Sequence, residues 1–265
     1  DRVRPGLSVS EPTPRADCSI FAVAQGYSRP PVASFPQPKD LREAAEVQNW
    51  LAKAVILGGN PGAARYLAAL DASHPTRFSG QQGPSVAVAV LWDINRREVL
   101  EVAAARMDET ELFPYVPGFL SFREAPLYLA ALAGLSCAPE VLLVDGQGIA
   151  HPRGLGIAAH LGVYLDLPAI GVAKTRLFGQ PDGELSMLAG SAVRLMSGNV
   201  QIGWVYRSRT GVRPIFISPG HRVGMEESLA FVRSLIDKTR LPEPLRIAHI
   251  EAGSQRRAAL EKQPH

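Results

Sequence analysis

The chain has 265 residues, 46% hydrophobic and 20% charged, with a net charge of +3. This composition suits one soluble globular domain with a sizeable core, and no apolar run reaches membrane-spanning length, so a cytoplasmic protein without membrane contact is expected. The two cysteines, Cys18 and Cys137, stand far apart in no metal-ligand spacing, which argues against a zinc site and fits reduced thiols.

Residues 1–38 are rich in Pro, Ser, Ala and Arg without a clear period and read as a poorly ordered N-terminal extension. From Asp40, a plausible N-cap, DLREAAEVQNWLAKAVIL has helical spacing and is ended by the turn GGNPG. That turn lacks the Gly-Lys-Ser/Thr of a phosphate loop. Three strand candidates follow: ARYLAALDAS from Ala64, SVAVAVLWDI from Ser85 and VLEVAAARM from Val99, the last two joined by a polar turn at Asn95, Arg96 and Arg97. After the proline-bracketed turn PYVPG, SFREAPLYLAALAGL reads as a helix. Pro126 is tolerable in a first turn, so the expected start is near Arg123 or Glu124. The pattern then alternates: EVLLVD a strand, GLGIAAHLGVYL a helix, LPAIGVAK, QIGWVYR and RPIFISP strands, MEESLAFVRSLID a helix. A strand meander followed by alternating elements predicts an α/β fold, a central mixed β-sheet flanked by helices in a single domain. The expected boundaries are a catalytic domain over 39–250 and a C-terminal tail over 251–265.

Three carboxylates arrive on separate elements: Asp71 after an apolar run, Asp145 after VLLV and before two glycines, and Glu124 at a helix N-terminus. Each alone also reads as a turn, capping or helix-terminal acid. Together, hard oxygen ligands from three elements suit Mg²⁺, with Mn²⁺ able to substitute, beside a phosphate. Lys174, ending a strand, can contact a phosphate or simply flank the strand. His221, at a strand-to-helix junction, can handle a water near a metal or act as a cap. His151 can stiffen its loop or serve as an acid or base. Tyr115, between Pro114 and Pro117, can wedge into a base stack or pack its turn onto the core. From Gly146 to Met225 eight bases stand against three acids, a surface suited to a nucleic-acid backbone or to solvent.

The stretches PYVPGFLSFREAP, VDGQGIAHPRGLGIAAHLG and IGVAKTRL, with ISPGHRV and RLPEPLR after them, resemble the endonuclease V family of deaminated-base repair nucleases. The resemblance covers roughly residues 40–248 and implies an RNase H-like fold. It implies Asp71, Glu124 and Asp145 as the metal site, His221 near the metal and Lys174 at the scissile region. It further implies Pro114, Tyr115, Val116 and Pro117 as a strand-separating wedge, and Leu120, Gly146, Gly148, His151, Gly156 and Ile157 as the pocket for a flipped hypoxanthine. The implied reaction is hydrolysis of the second phosphodiester 3′ to the lesion, leaving 3′-hydroxyl and 5′-phosphate ends. The implied partner is DNA containing deoxyinosine, with inosine-containing RNA as an alternative, acted on by a monomer. Other readings are an RNase H-like nuclease that selects structure, and a nucleic-acid binder that has lost catalysis. ALDAS departs from the family's usual glycine and valine around the acid, and residues 1–38 match nothing in the family.

Overall fold

Asp40 starts the first helix as expected. Its carboxylate accepts a hydrogen bond from Glu43 N at 2.8 Å, and α1 runs Leu41–Leu51. The structure, a computed structural model, describes residues 35–75 and 83–261.

Its frame is a mixed sheet of strands β1 (Tyr66–Ser73), β2 (Ser85–Asp93), β3 (Glu98–Met107), β4 (Val141–Val144), β5 (Ala169–Ala173), β6 (Gln180–Pro181), β7 (Ala192–Ser197), β8 (Val200–Tyr206) and β9 (Ile215–His221). The order is β3-β2-β1-β4-β5-β9-β8-β7-β6. β1, β2 and β3 form the antiparallel meander, β4 and β5 run parallel to β1, and β9 returns antiparallel to β5. This is the RNase H-like arrangement, extended beyond β5 by an antiparallel wing.

Four more helices complete the layers: α2 (Leu120–Ala133), α3 (Ile157–Leu165), α4 (Met225–Ser234) and α5 (Glu243–Glu261). On one face, Leu127 and Tyr128 of α2 and Ile157 and Leu161 of α3 pack with Ala68, Leu70, Leu142 and Val144. On the other, Leu229 and Val232 of α4 and Leu245, Ala248 and Ala252 of α5 pack with Leu67, Ala69 and Leu143. Covered on both faces, β1 and β4 carry continuous apolar runs rather than alternation.

Several elements differ from expectation. α2 starts at Leu120, so Pro126 lies inside the helix and not in its first turn. A proline there removes one helical hydrogen bond and costs about 3 kcal/mol in an exposed helix. Here residues 121–132 are all buried, and that packing outweighs the lost bond. β6 and β7, short and partly exposed, give no clear alternating signal. Helix α5 runs to Glu261, through the boundary expected at residue 250. Phe35, placed by sequence in the extension, is buried with its ring centroid 4.6 Å from that of His160 and 5.2 Å from that of Tyr164. The rest of that extension, residues 1–34, lies outside the described residues. Cys137 is buried and disulfide-bonded, against the expectation of reduced thiols; Cys18 lies outside the described residues. Among the described residues no helix is long and apolar enough to cross a membrane.

Candidate active site

Three neighbouring parallel strands deliver the first site residues. Leu70 of β1 is in register with Val144 of β4, and Val144 with Gly171 of β5. Asp71 and Asp145 each stand one residue beyond that line, and Asp145 N donates to Leu70 O at 2.9 Å. Lys174 follows β5 directly. Its ammonium is bonded to Asp145 Oδ2 and lies 3.5 Å from Asp71 Oδ2. Carboxyl ends of parallel strands are where open α/β sheets gather ligands.

A fourth group arrives from α5, which crosses β1 and β2. His249 Nδ1 is 2.7 Å from Asp71 Oδ2 and 3.1 Å from Lys174 Nζ. No sequence expectation named His249. The usable signal was its place beside the buried stripe Leu245, Ala248 and Ala252, at helical spacing after Pro244.

Charge is crowded here. Burial, and then the neighbouring Asp71 charge, push Asp145 up to about 7. Burial opposes the charge on Lys174, but Asp145 and Asp71 outweigh it and hold its pKa above the ordinary lysine value. The hydrogen bond to Asp71 raises His249. Asp71, Asp145 and His249 each place one potential ligand atom within 4.8 Å of the other two. Two carboxylates and one imidazole in a partly buried cluster, already arranged around the cationic head of Lys174, are a donor set that can hold a metal ion.

Glu124 reaches the same cavity from the opposite layer, on α2. Its Oε1 lies 2.7 Å from His74 Nε2, and Tyr128 Oη donates to its Oε2 at 3.2 Å. Burial, with the Glu124 charge next, drives the Tyr128 pKa well up, so this phenol keeps its proton.

The cavity has a volume of about 390 Å³. It joins Asp71, Glu124, Asp145, Lys174 and His249 to Leu120, Gly146, His151, Gly156 and Ile157, under Tyr115, Val116 and Pro117. Gln48, Ser121, Gln147, Leu155 and Arg176 also line it. Tyr115 is 59% exposed at its mouth. The turn is pinned from behind: Gly118 O accepts from Arg153 Nη2 at 2.7 Å and from Gln48 Nε2 at 3.1 Å, and lies 2.9 Å from His151 Nε2. His151 Nδ1 accepts from Arg153 N, so Nε2 carries the proton given to Gly118. Burial lowers His151 to about 4, and its bond to Gly118 O ties its loop to the Tyr115 turn.

Three expected residues stand elsewhere. Pro114 does not line the cavity. Gly148 lies beneath it: a Cβ there would meet Pro219 O at 2.1 Å, so its smallness serves contact with β9 and not with a ligand. His221 must be corrected. Because β9 runs antiparallel to β5, His221 pairs with Ala169, at the end of β5 remote from Lys174. It is buried, accepts from Ile56 N at 3.2 Å and lies 3.2 Å from Asp166 Oδ1, clamping the segment after α1.

The family profile described as endonuclease V matches residues 49–250. The endonuclease V of Thermus thermophilus is 58% identical over 226 residues, covering 85% of this chain and 96% of that protein. The crystal structure of endonuclease V from Streptomyces avermitilis matches with a TM-score of 0.74 at 36% identity, covering 86% of this chain and 96% of that one. Ciona intestinalis endonuclease V in complex with a 23mer DNA containing an inosine followed by a ribo-adenosine has the same fold, with a TM-score of 0.67 at 24% identity and coverage of 84% and 97%.

Proposed function

The chain belongs to the endonuclease V family and is a nuclease, and from that premise we propose that it is a metal-dependent repair enzyme acting on DNA that contains deoxyinosine. It cuts the second phosphodiester bond 3′ to the lesion and leaves 3′-hydroxyl and 5′-phosphate ends. The observation that carries this reading is the single cavity that joins the acidic cluster to the glycine-rich loop beneath the Tyr115 turn. We place the work in the cytoplasm, and one chain holds every residue the reading uses.

Asp71, Asp145 and His249, with Glu124 from the facing layer, would hold the divalent ion, Mg²⁺ or Mn²⁺. When bound, the ion supplies polarisation of the scissile phosphate and a water of lowered pKa. Lys174 offers its ammonium to the developing phosphate charge in a partly buried site, where such a contact is stronger than in water. With one ring nitrogen turned to the ion, His249 would carry its proton on the other and could use that N–H to orient a water. At the other end, Tyr115 fills the gap left in the stack as the lesion base leaves it. A weakly paired hypoxanthine flips at lower cost than a normal base, and Leu120, Gly146, Gly156 and Ile157 receive it. Backbone groups of the loop read its edge while His151 and Arg153 hold the rim.

The test uses matched labelled strands carrying one inosine, as DNA and as RNA, with Mg²⁺ and with chelator. A metal-dependent nick one nucleotide past the inosine's 3′ neighbour bond is the expected result, and the faster strand fixes the sugar preference. Metal-dependent cutting that follows junctions or flaps and ignores inosine would replace this reading with that of a structure-selective nuclease.

A further inference from the structure

Both oxygens of Glu124 are held by groups of its own protein. Oε2 accepts from the buried Tyr128, and Oε1 faces His74 Nε2 at 2.7 Å. His74 follows Ser73, the last residue of β1, on the segment that continues the strand past Asp71. It is itself held. Its Nδ1 lies 2.6 Å from Ser85 Oγ, which gives its proton to Glu109 Oε1. The other Glu109 oxygen takes Arg123 Nη2 at 2.5 Å, and Arg123 Nη1 donates to Phe113 O at 3.0 Å, one residue before the Pro114 turn. A continuous chain of polar contacts therefore runs from Glu124 to the base of the Tyr115 turn. The ring of His74 ties that chain to β1, the strand that carries Asp71.

We propose that His74 is a positioning residue that sets the Glu124 carboxylate for the metal site, an assignment that rests on the function proposed above. A carboxylate that binds a cation through one oxygen needs the other held, or it rotates and chelates unproductively. Partners of this kind behind a ligand carry about 10- to 100-fold in metal affinity. Because Asp71 and His74 lie on one strand and its direct continuation, the same backbone that places one ligand also orients another from the opposite layer.

The test is a titration of the whole protein with Mn²⁺ alone, followed by electron paramagnetic resonance, so that the readout does not depend on cleavage. His74→Gln keeps a donor near the position of Nε2, whereas His74→Asn is too short to reach Glu124. Both are polar replacements at a partly exposed site and are expected to fold, which thermal melts verify. The expected result is Mn²⁺ affinity about tenfold weaker for His74→Asn and near wild type for His74→Gln. His74→Asn should also have no further effect in a Glu124→Gln background, a non-additivity that a purely structural role would not give. Equal affinities for the Asn and Gln variants, or additive losses with Glu124→Gln, would overturn the assignment. Asp145→Ala separates the two levels. If it binds Mn²⁺ like the wild type, the metal site itself is wrong and His74 falls with it. If it loses Mn²⁺ while His74→Asn does not, only the role of His74 is refuted.

Discussion

His249 Nδ1 and Asp71 Oδ2 lie 2.7 Å apart although 178 positions separate them in sequence. The contact joins the first strand of the sheet to the last helix described, and it puts His249, not His221, beside Asp71. Replacing His249 by alanine should lower the cleavage rate about 100-fold with little loss of fold, since its ring is largely exposed. Replacing His221 by alanine should do the reverse. It removes a buried acceptor from Ile56 N, costing about 1–3 kcal/mol, with the rate per folded molecule retained. Single-turnover cleavage beside thermal melts distinguishes the two.

Asp145→Asn should abolish cleavage and at the same time raise the melting temperature of the metal-free protein. Burial and the nearby Asp71 charge work against the Asp145 carboxylate, and the amide is free of that cost. The wild type should gain about 2.7 kcal/mol from Mn²⁺ at a hundred times its dissociation constant, and the variant should gain almost none. Melts with and without Mn²⁺ check both halves.

Tyr115 is exposed, so Tyr115→Ala should change stability by no more than about 0.5 kcal/mol. Its cost should appear on duplex substrate, where a wedge must replace stacking, and should be smaller on a single strand. An equal loss on both substrates would refute the wedge role.

His160 supplies an acid limb. Burial, with the nearby His151 adding to it, lowers its pKa to about 3, and among the described residues its Nε2 has no partner. An unfolded chain takes up this proton near pH 6.5, whereas the folded one refuses it until about pH 3. The unfolded state thus binds more protons in that window, and stability falls with acidity by up to about 1.4 kcal/mol per pH unit from this residue. His160→Gln should flatten the limb between pH 6 and about 4, as read by denaturant midpoints.

Asp71, Asp145 and Lys174 were legible because each ends a run of apolar residues, where a charge is conspicuous. His249 was not, because the stripe Leu245, Ala248 and Ala252 marks a helix but not the strand that this helix crosses. His221 was misplaced for a related reason. Its sequence marks the junction correctly, since β9 ends there and α4 begins soon after. The direction of β9 relative to β5 decides which end of the sheet that junction occupies, and the direction is a tertiary fact. The meander was legible from valine-rich strands joined by a polar turn. Helix α2 was started late because the intrinsic cost of Pro126 was read without the burial that overrides it.

The distance in sequence between Asp71 and His249 also sets a temporal order. At about 5–20 residues per second, a ribosome that has just made Asp71 needs on the order of ten to thirty seconds to make His249. For the later part of that interval a nascent chain can carry paired strands and two acids, yet it lacks the imidazole that stands beside Asp71. The cluster around Asp71 is thus completed only when α5 has been made and laid over the sheet.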